Sequence, residues 1–381
     1  MSDELEPGDQ GPDTRIPDRA RKGRGAVSNR AGRFEGATRQ AEDDGWAGSH
    51  ADDRHESEGG GETPLRTTVS IDTSRTAIAY NQSPDIPFDR SLNAYRGCEH
   101  GCVYCFARPT HAWLGLSPGL DFETKLFAKP DAPELLAAEL ARPGYRPAVL
   151  AMGTNTDPYQ PIERDYEITR RVLERLDACN HPVGIVTKSA LVIRDIDILK
   201  RMAERRLAQV HISVTTLDGE LARTLEPRAA SPRRRLEAIA ALADAGIPVG
   251  VMAAPIIPAL NDMELERILA AAKQAGASSA AYIVLRLPLE IKDLFQEWLA
   301  AHAPQRARHV LALLRDLRGG GLNDSTFGRR MTGKGHYAEL LARRFELACG
   351  RLGLNERSFD FDLSAFAPPI PPGSGRQLTL F

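Results

Sequence analysis

Apolar and polar positions alternate along most of this chain in two registers. Short apolar runs of strand length occur at 147–153 (PAVLAMG), 183–188 (VGIVTK), 209–216 (QVHISVTT), 248–256 (PVGVMAAPI) and 279–287. Between and after them, apolar residues recur every three or four positions, which predicts helices over 133–141, 166–178, 194–205, 232–245, 262–275 and 290–302. A further strand-like run, 91–97, precedes the first helix, and a β-like pair is expected around 121–128. Apolar, β-branched runs separated by helices predict βαβ units with a parallel sheet, buried on both faces and joined by right-handed crossovers. The count is six strands. Periodicity leaves two architectures open, a doubly wound open sheet and a partly closed α/β barrel. No G-x-G-x-x-G follows the first strand to favour a dinucleotide-binding version.

Outside 63–302 the alternation stops. Residues 1–62 hold many glycines and few large apolar residues, too few to offset the entropy of ordering, so a disordered tail is expected. Its basic cluster (Arg15, Arg19, Arg21, Lys22, Arg24) is the functional alternative, a basic arm, although acidic residues outnumber basic ones in the segment. Residues 303–366 read as an α-rich C-terminal extension. Its local excess of Lys and Arg, with Phe327 and Tyr337 among the charges, reads either as a nucleic-acid contact or as a helix pair with solvated arginines. Residues 367–381 are a Pro-rich linker and a terminal peptide.

Composition narrows the class. At 381 residues and 42% hydrophobic content, the chain supports one large α/β domain with extensions, or two domains. Its 49 basic and 51 acidic residues create no global field that would imply nucleic acid or a membrane as partner. No run of eighteen apolar residues is present and the first ten residues are acidic and polar, so a cytoplasmic protein without membrane association is expected.

The chemistry concentrates in Cys98-Glu99-His100-Gly101-Cys102-Val103-Tyr104-Cys105, where three of five cysteines fall at C-x3-C-x2-C; Cys179 and Cys349 stand apart. Closely spaced thiolates hold iron–sulfur clusters, and a site one protein ligand short keeps a metal open for substrate. A 4Fe-4S cube with one iron free of protein ligands is therefore the first reading. Zinc bound by three cysteines and His100 or His111 is an alternative, weakened by the lack of a second CxxC or HxxC pair. Disulfides would leave one cysteine unpaired.

The spacing, with Tyr104 before the last cysteine, resembles the signature of the radical S-adenosylmethionine (SAM) superfamily. Residues 93–105 and the strands that follow are similar to the spore photoproduct lyase type, also described as DNA repair photolyase-like. The resemblance covers roughly 83–302. It implies a partial (β/α)6, TIM-like barrel with the cluster on the loop after the first strand, where α/β barrels gather their chemistry. It also implies a 4Fe-4S cluster on Cys98, Cys102 and Cys105, bound S-adenosyl-L-methionine, and an electron donor such as flavodoxin or ferredoxin. By position it places Tyr104, Gly153, Thr154, Asn155, Lys188, Ser213 and Thr215 at the cofactor. Residue by residue, 153–158 could equally be a βα turn capping the next helix, and Lys188 could extend along the strand end to solvent. The Glu226-Pro227-Arg228 turn resembles a family element near the cofactor, and one of Arg233, Arg234 and Arg235 could reach the cofactor carboxylate. One departure stands out. The lyase carries a hydrogen-donating cysteine after the second strand, where this chain has none, and Cys179 is expected on the opposite face.

The terminal Gln377-Leu378-Thr379-Leu380-Phe381 resembles the peptide that bacterial DNA-processing proteins insert into the sliding clamp; packing on its own barrel is the alternative. Together these features favour a radical SAM enzyme acting on nucleic acid, in repair or modification. A protein or small-molecule substrate, or a non-catalytic iron–sulfur protein bound to the clamp, are the competing readings.

Overall fold

The computed structural model describes residues 18–35 and 65–369. Among the described residues ten strands form two sheets. β1 (Thr68–Ile71), β4 (Tyr95–Arg96) and β5 (Lys125–Ala128) make a small sheet in the order β1-β5-β4. The large sheet runs β10-β9-β8-β7-β6-β3-β2, from β2 (Ile78–Tyr80), β3 (Arg90–Leu92), β6 (Leu150–Met152), β7 (Val183–Thr187), β8 (Ala208–Ser213), β9 (Val249–Ile256) and β10 (Ser279–Val284). In the large sheet only β2 is antiparallel to its neighbour, and β3 and β6 to β10 are all parallel; in the small sheet β5 is parallel to β1 and antiparallel to β4. These six strands lie side by side in chain order. A doubly wound sheet reverses its order at a switch point, whereas a barrel does not. The fold is thus a partial (β/α)6 barrel, left open between β10 and β2.

Local sequence explains the helices between the strands. Ser231 accepts a hydrogen bond from Arg234 N and Pro232 opens the first turn, so helix Pro232–Asp244 starts where its cap stands. Helix Ile168–Ala178 buries Ile168, Val172, Leu173 and Leu176 at helical spacing against the outer sheet face. Along β7 and β8, Val183, Ile185, Ala208, Val210 and Ile212 join that core, while Gly184, Val186, Gln209 and His211 on the other face keep partial exposure toward the barrel interior.

Four expectations change. The run 91–97 is two strands: β3 joins the barrel, and after Asn93 the chain turns so that β4 pairs with β5. Of the β-like pair at 121–128, the first half is helix Leu120–Thr124. The C-terminal extension is not separate from the barrel. Leu317, Ala338, Leu341 and Ala348 from helices Pro304–Leu317 and His336–Leu352 belong to the same hydrophobic core as the sheet. Finally, residues 18–35 are not a solvated tail, since Ala26 and Ser28 are buried and Phe34 packs on Trp113 at 4.5 Å. Residues 1–17 and 36–64, most of the linker and Gln377–Phe381 lie outside the described residues.

Candidate radical site

The cluster loop leaves β4 at Gly97 and is held from several directions. Gln160 clamps both sides of Cys98, accepting from Glu99 N (2.9 Å) and donating to Gly97 O (3.2 Å). Arg108, fully buried, donates to Cys102 O (2.8 Å), Gly101 O (2.9 Å), Pro118 O (3.0 Å) and Gly119 O (2.8 Å). From the far side, Val103 N donates to Leu225 O (3.0 Å) and Arg228 pairs with Glu99 (3.0 Å). Cys98 and Cys102 are buried and Cys105 is partly so; all three are free of disulfides.

The donor set fits a cluster. The three thiols are electrostatic neighbours of one another, and burial first, then nearby Asp157 for Cys98 and Glu226 for Cys102, pushes those two well above the ordinary thiol range. Three thiolates packed here call for a compensating cation. Backbone N–H groups of Asp157 and of Ala107 and Arg108 already point at Cys98 and Cys105 sulfur. Among the described residues no three His, Cys, Asp or Glu side chains converge as they would on a single metal ion. In a cube, by contrast, each cysteine serves a different iron. Neither histidine falls with the cysteines in a group of three placed for a single metal ion among the described residues: His111 Nε2 bonds Lys125 O at 2.9 Å while its Nδ1 is buried without a partner, and His100 Nδ1 lies 3.4 Å from Asp157.

Beside the thiols the strand ends bring a polar network together around Glu226, which is fully buried. Its Oε1 accepts from Thr215 Oγ1 (2.6 Å) and from the Tyr104 hydroxyl, and lies 3.5 Å from Lys188 Nζ; its Oε2 accepts from Arg235. Burial pushes this carboxyl up, partly offset by Arg235. Lys188 is turned inward rather than toward solvent. It also donates to Ala254 O (3.3 Å), and burial pulls its ammonium down to about 8. Of the three consecutive arginines, Arg233 and Arg234 pair with Glu237 on the exposed face, while Arg235 is buried and also donates to Ser213 O (3.1 Å). Tyr104, Lys188, Ser213 and Thr215 therefore share one site. The Thr215 hydroxyl is committed to Glu226 and Ala254 O (2.9 Å).

Gly153, Thr154 and Asn155 approach from β6. Gly153 has φ +87°, and a Cβ there would lie 1.9 Å from Val186 O, so only glycine fits. The loop is tied to Asn93, whose Oδ1 accepts from Asn155 N (3.0 Å) and Thr156 N (3.2 Å) and whose Nδ2 donates to Thr154 Oγ1 (3.2 Å). Asp157 does not cap the next helix; helix Glu163–Tyr166 has no side-chain cap. Instead it accepts from Thr187 Oγ1 (2.7 Å) and Lys188 N (2.7 Å) and faces His100, which together hold its carboxyl below the usual range in spite of burial. Asn93, Asp157, Gln160 and Arg108 were not among the expected site residues. Asn93, in the segment leading to Cys98, and Asp157 and Gln160, in the polar stretch after the second strand, carried a signal of position; Arg108 carried none. Cys179 ends helix Ile168–Ala178 on the N-terminal side of β7, away from the thiols.

Comparison with known proteins agrees with this geometry. The model of the Radical SAM superfamily matches residues 92–272. Uncharacterized proteins of Mycobacterium tuberculosis and Mycobacterium bovis are 37% identical over 242 residues, covering 62% of this chain and 71% of theirs. A Methanocaldococcus jannaschii protein, also uncharacterized, is 30% identical over 173 residues, 45% of this chain and 62% of its own. In three dimensions, a spore photoproduct lyase variant superimposes with TM-score 0.56 at 17% identity, over 77% of this chain and 84% of that one. Another, with bound AdoMet and dinucleoside spore photoproduct, gives 0.54 at 15% identity over the same shares. At such identity the likeness speaks for the fold. On the family match the chain belongs to the radical SAM superfamily, whose members are enzymes, and the family implies SAM and an iron–sulfur cluster as cofactors.

Proposed function

We propose that this protein holds a 4Fe-4S cluster on Cys98, Cys102 and Cys105, binds SAM beside it, and acts on nucleic acid in repair or modification. The observation that carries the first part is the meeting of three disulfide-free thiols with the inward Lys188–Glu226–Arg235 network at the C-terminal ends of parallel strands. When bound, the cluster and SAM supply reductive cleavage to a 5'-deoxyadenosyl radical, with an electron from a flavodoxin or ferredoxin. The chain's own residues orient and shield. Gly153, Thr154 and Asn155 offer backbone and side-chain polar groups to the amino end of SAM. Lys188 offers an ammonium to its carboxylate, with Ser213 and Thr215 alongside and Tyr104 fixing Glu226. Buried walls keep water from the reacting centre.

Support for a nucleic-acid substrate is twofold. A structural neighbour bears a dinucleoside photoproduct in its name, and basic and aromatic side chains meet at the mouth of this barrel. The terminal Gln377-Leu378-Thr379-Leu380-Phe381 would tether the enzyme to a bacterial sliding clamp. Anaerobic reconstitution with iron and sulfide, followed by dithionite and SAM, tests the chemistry. 5'-Deoxyadenosine should form in the wild type and vanish in Cys98→Ala, Cys102→Ala and Cys105→Ala; an intact cluster that yields none would remove the enzymatic reading. Clamp binding unchanged by deletion of 377–381 would remove the tether.

A further inference from the structure

The open side of the barrel is crossed by residues 318–334, which bring positive charge to the end of β10. Val284 N donates to Met331 O (2.8 Å). Arg318 staples the crossing, donating to Arg329 O (3.1 Å), Arg330 O (3.0 Å), Val284 O (3.0 Å) and Leu285 O (2.7 Å). At the far edge, Arg330 forms a two-pronged pair with Asp85 (2.7 and 2.5 Å) in the β2–β3 connection. Between these anchors stands Arg286, two residues past β10, with Arg330, Arg318 and Asp85 as charged neighbours.

Arg286 is under-used where it stands. Among the described residues its only side-chain acceptor is the Met331 thioether, at 3.5 Å, and its Nε is buried without a partner. Among the described residues no carboxylate lies within ion-pair distance of it. The guanidinium sits 5.7 Å from the centroid of Phe106, a half-exposed ring next to Cys105. A second exposed ring, Phe327, lies 4.8 Å under Arg330. A guanidinium presents a planar fork of donors suited to phosphate or carboxylate oxygens, and leaving such donors unmet costs free energy. Protein-bound single strands are held by this pairing of cations for the backbone with rings for the bases. In the reading given above, the methionine carboxylate of SAM takes Lys188, at the end of β7 and against Glu226, as its cation. That leaves Arg286 for a different anion.

We propose that Arg286, with Phe106 and Phe327, forms a subsite for a backbone phosphate and adjoining bases of a nucleic-acid strand entering the barrel mouth. The proposal rests on the nucleic-acid reading given above. Its position, one ring away from the cluster loop, would deliver a nucleotide to the radical site while Arg318 and Arg330 keep the crossing segment rigid.

The test is binding of a fluorescein-labelled single-stranded deoxyoligonucleotide to cluster-loaded protein across a salt series, by anisotropy. Arg286→Gln should weaken binding about tenfold and flatten the log-log salt slope by about 0.7, the contribution of one single-strand phosphate contact. Arg286→Lys, which keeps the charge, should retain the slope; iron content and the thermal transition report on folding in both. A methylphosphonate oligonucleotide should bind the wild type weakly and be insensitive to the substitution. If wild type binds the oligonucleotide and Arg286→Gln binds it equally well, the subsite is overturned while the nucleic-acid reading stands. If the variant loses SAM binding instead, Arg286 serves the cofactor and the subsite is again overturned. No binding by wild type overturns both.

Discussion

Arg108 and Glu123 form a buried ion pair at 2.5 Å, with neither side chain exposed, and between them they hold the cluster loop and the N-terminal segment together. Arg108 carries four backbone carbonyls of 101–119, while Glu123 accepts from Gly25 N (3.0 Å) and Ala26 N (2.8 Å). Arg108→Met should therefore cost about 3–5 kcal/mol in stability, because it leaves a carboxylate buried without its cation. Urea unfolding of the anaerobic protein gives the number, and iron content should fall with it. A variant as stable as wild type would show that the pair holds nothing.

Gly25 lies against the cluster loop so closely that a Cβ would fall 1.8 Å from Gly101 O and 3.2 Å from Val103 N. The rest of the segment is fastened by Asn29 to Asp121, by Ser28 and Arg30 to Glu297, and by Arg33 to Glu290. Gly25→Val should lift this segment off the loop. Trypsin should then cut at Arg24 and Arg30 several-fold faster than in wild type, and the cluster should bleach faster in air. Unaltered cleavage would place the segment's hold elsewhere.

What the sequence disclosed and what it hid follow from the range of the interactions. Strand and helix identity in the barrel rests on local periodicity, and Ser231-Pro232 marks its helix within a few residues. The three cysteines share one loop, so their being neighbours was readable. Residues 18–35 are different. Poor in apolar side chains, they are ordered by polar bonds to Glu123, Glu290 and Glu297, roughly 100 to 270 positions away, which no local pattern encodes. The arginine triplet shows the same limit: Arg233, Arg234 and Arg235 are equivalent as text, and only the phase of the helix turns Arg235 inward to Glu226. Helix Leu120–Thr124 was read as strand because a five-residue helix offers barely one turn of periodicity.

Asn93 organises the loop proposed above to contact SAM, since one amide satisfies Thr154, Asn155 and Thr156. Asn93→Ala removes that template and leaves two backbone N–H groups without their acceptor, a cost of about 1–3 kcal/mol, which SAM binding would have to repay in ordering the loop and which corresponds to about 5- to 150-fold weaker SAM binding. Asn93→Asp keeps the acceptor and should lose less. Equilibrium dialysis with SAM on cluster-loaded protein distinguishes the two; equal affinity in Asn93→Ala and wild type would detach this loop from the cofactor.

His181 gives the fold a pH dependence at the end of the barrel away from the cluster. Its Nδ1 donates to Pro182 O (3.0 Å) and its Nε2 accepts from the Tyr145 hydroxyl (2.8 Å), so the neutral ring is satisfied at both nitrogens. Phe366 packs edge-on at 5.6 Å. Burial, with Arg90 nearby, lowers its pKa from 6.5 to about 4. The unfolded chain therefore takes up this proton below pH 6.5 while the folded one resists until about 4. The stability the ring contributes is whole above pH 6.5 and drains away as pH falls toward 4. Between pH 7 and pH 5 wild type should lose about 2 kcal/mol more than His181→Gln, whose amide does not titrate. His111, lowered in the same direction, titrates in both proteins and cancels in the comparison. Parallel urea-unfolding free energies for the two proteins across this range would mean that His181 already carries its proton in the folded state, or never takes one up in the unfolded chain.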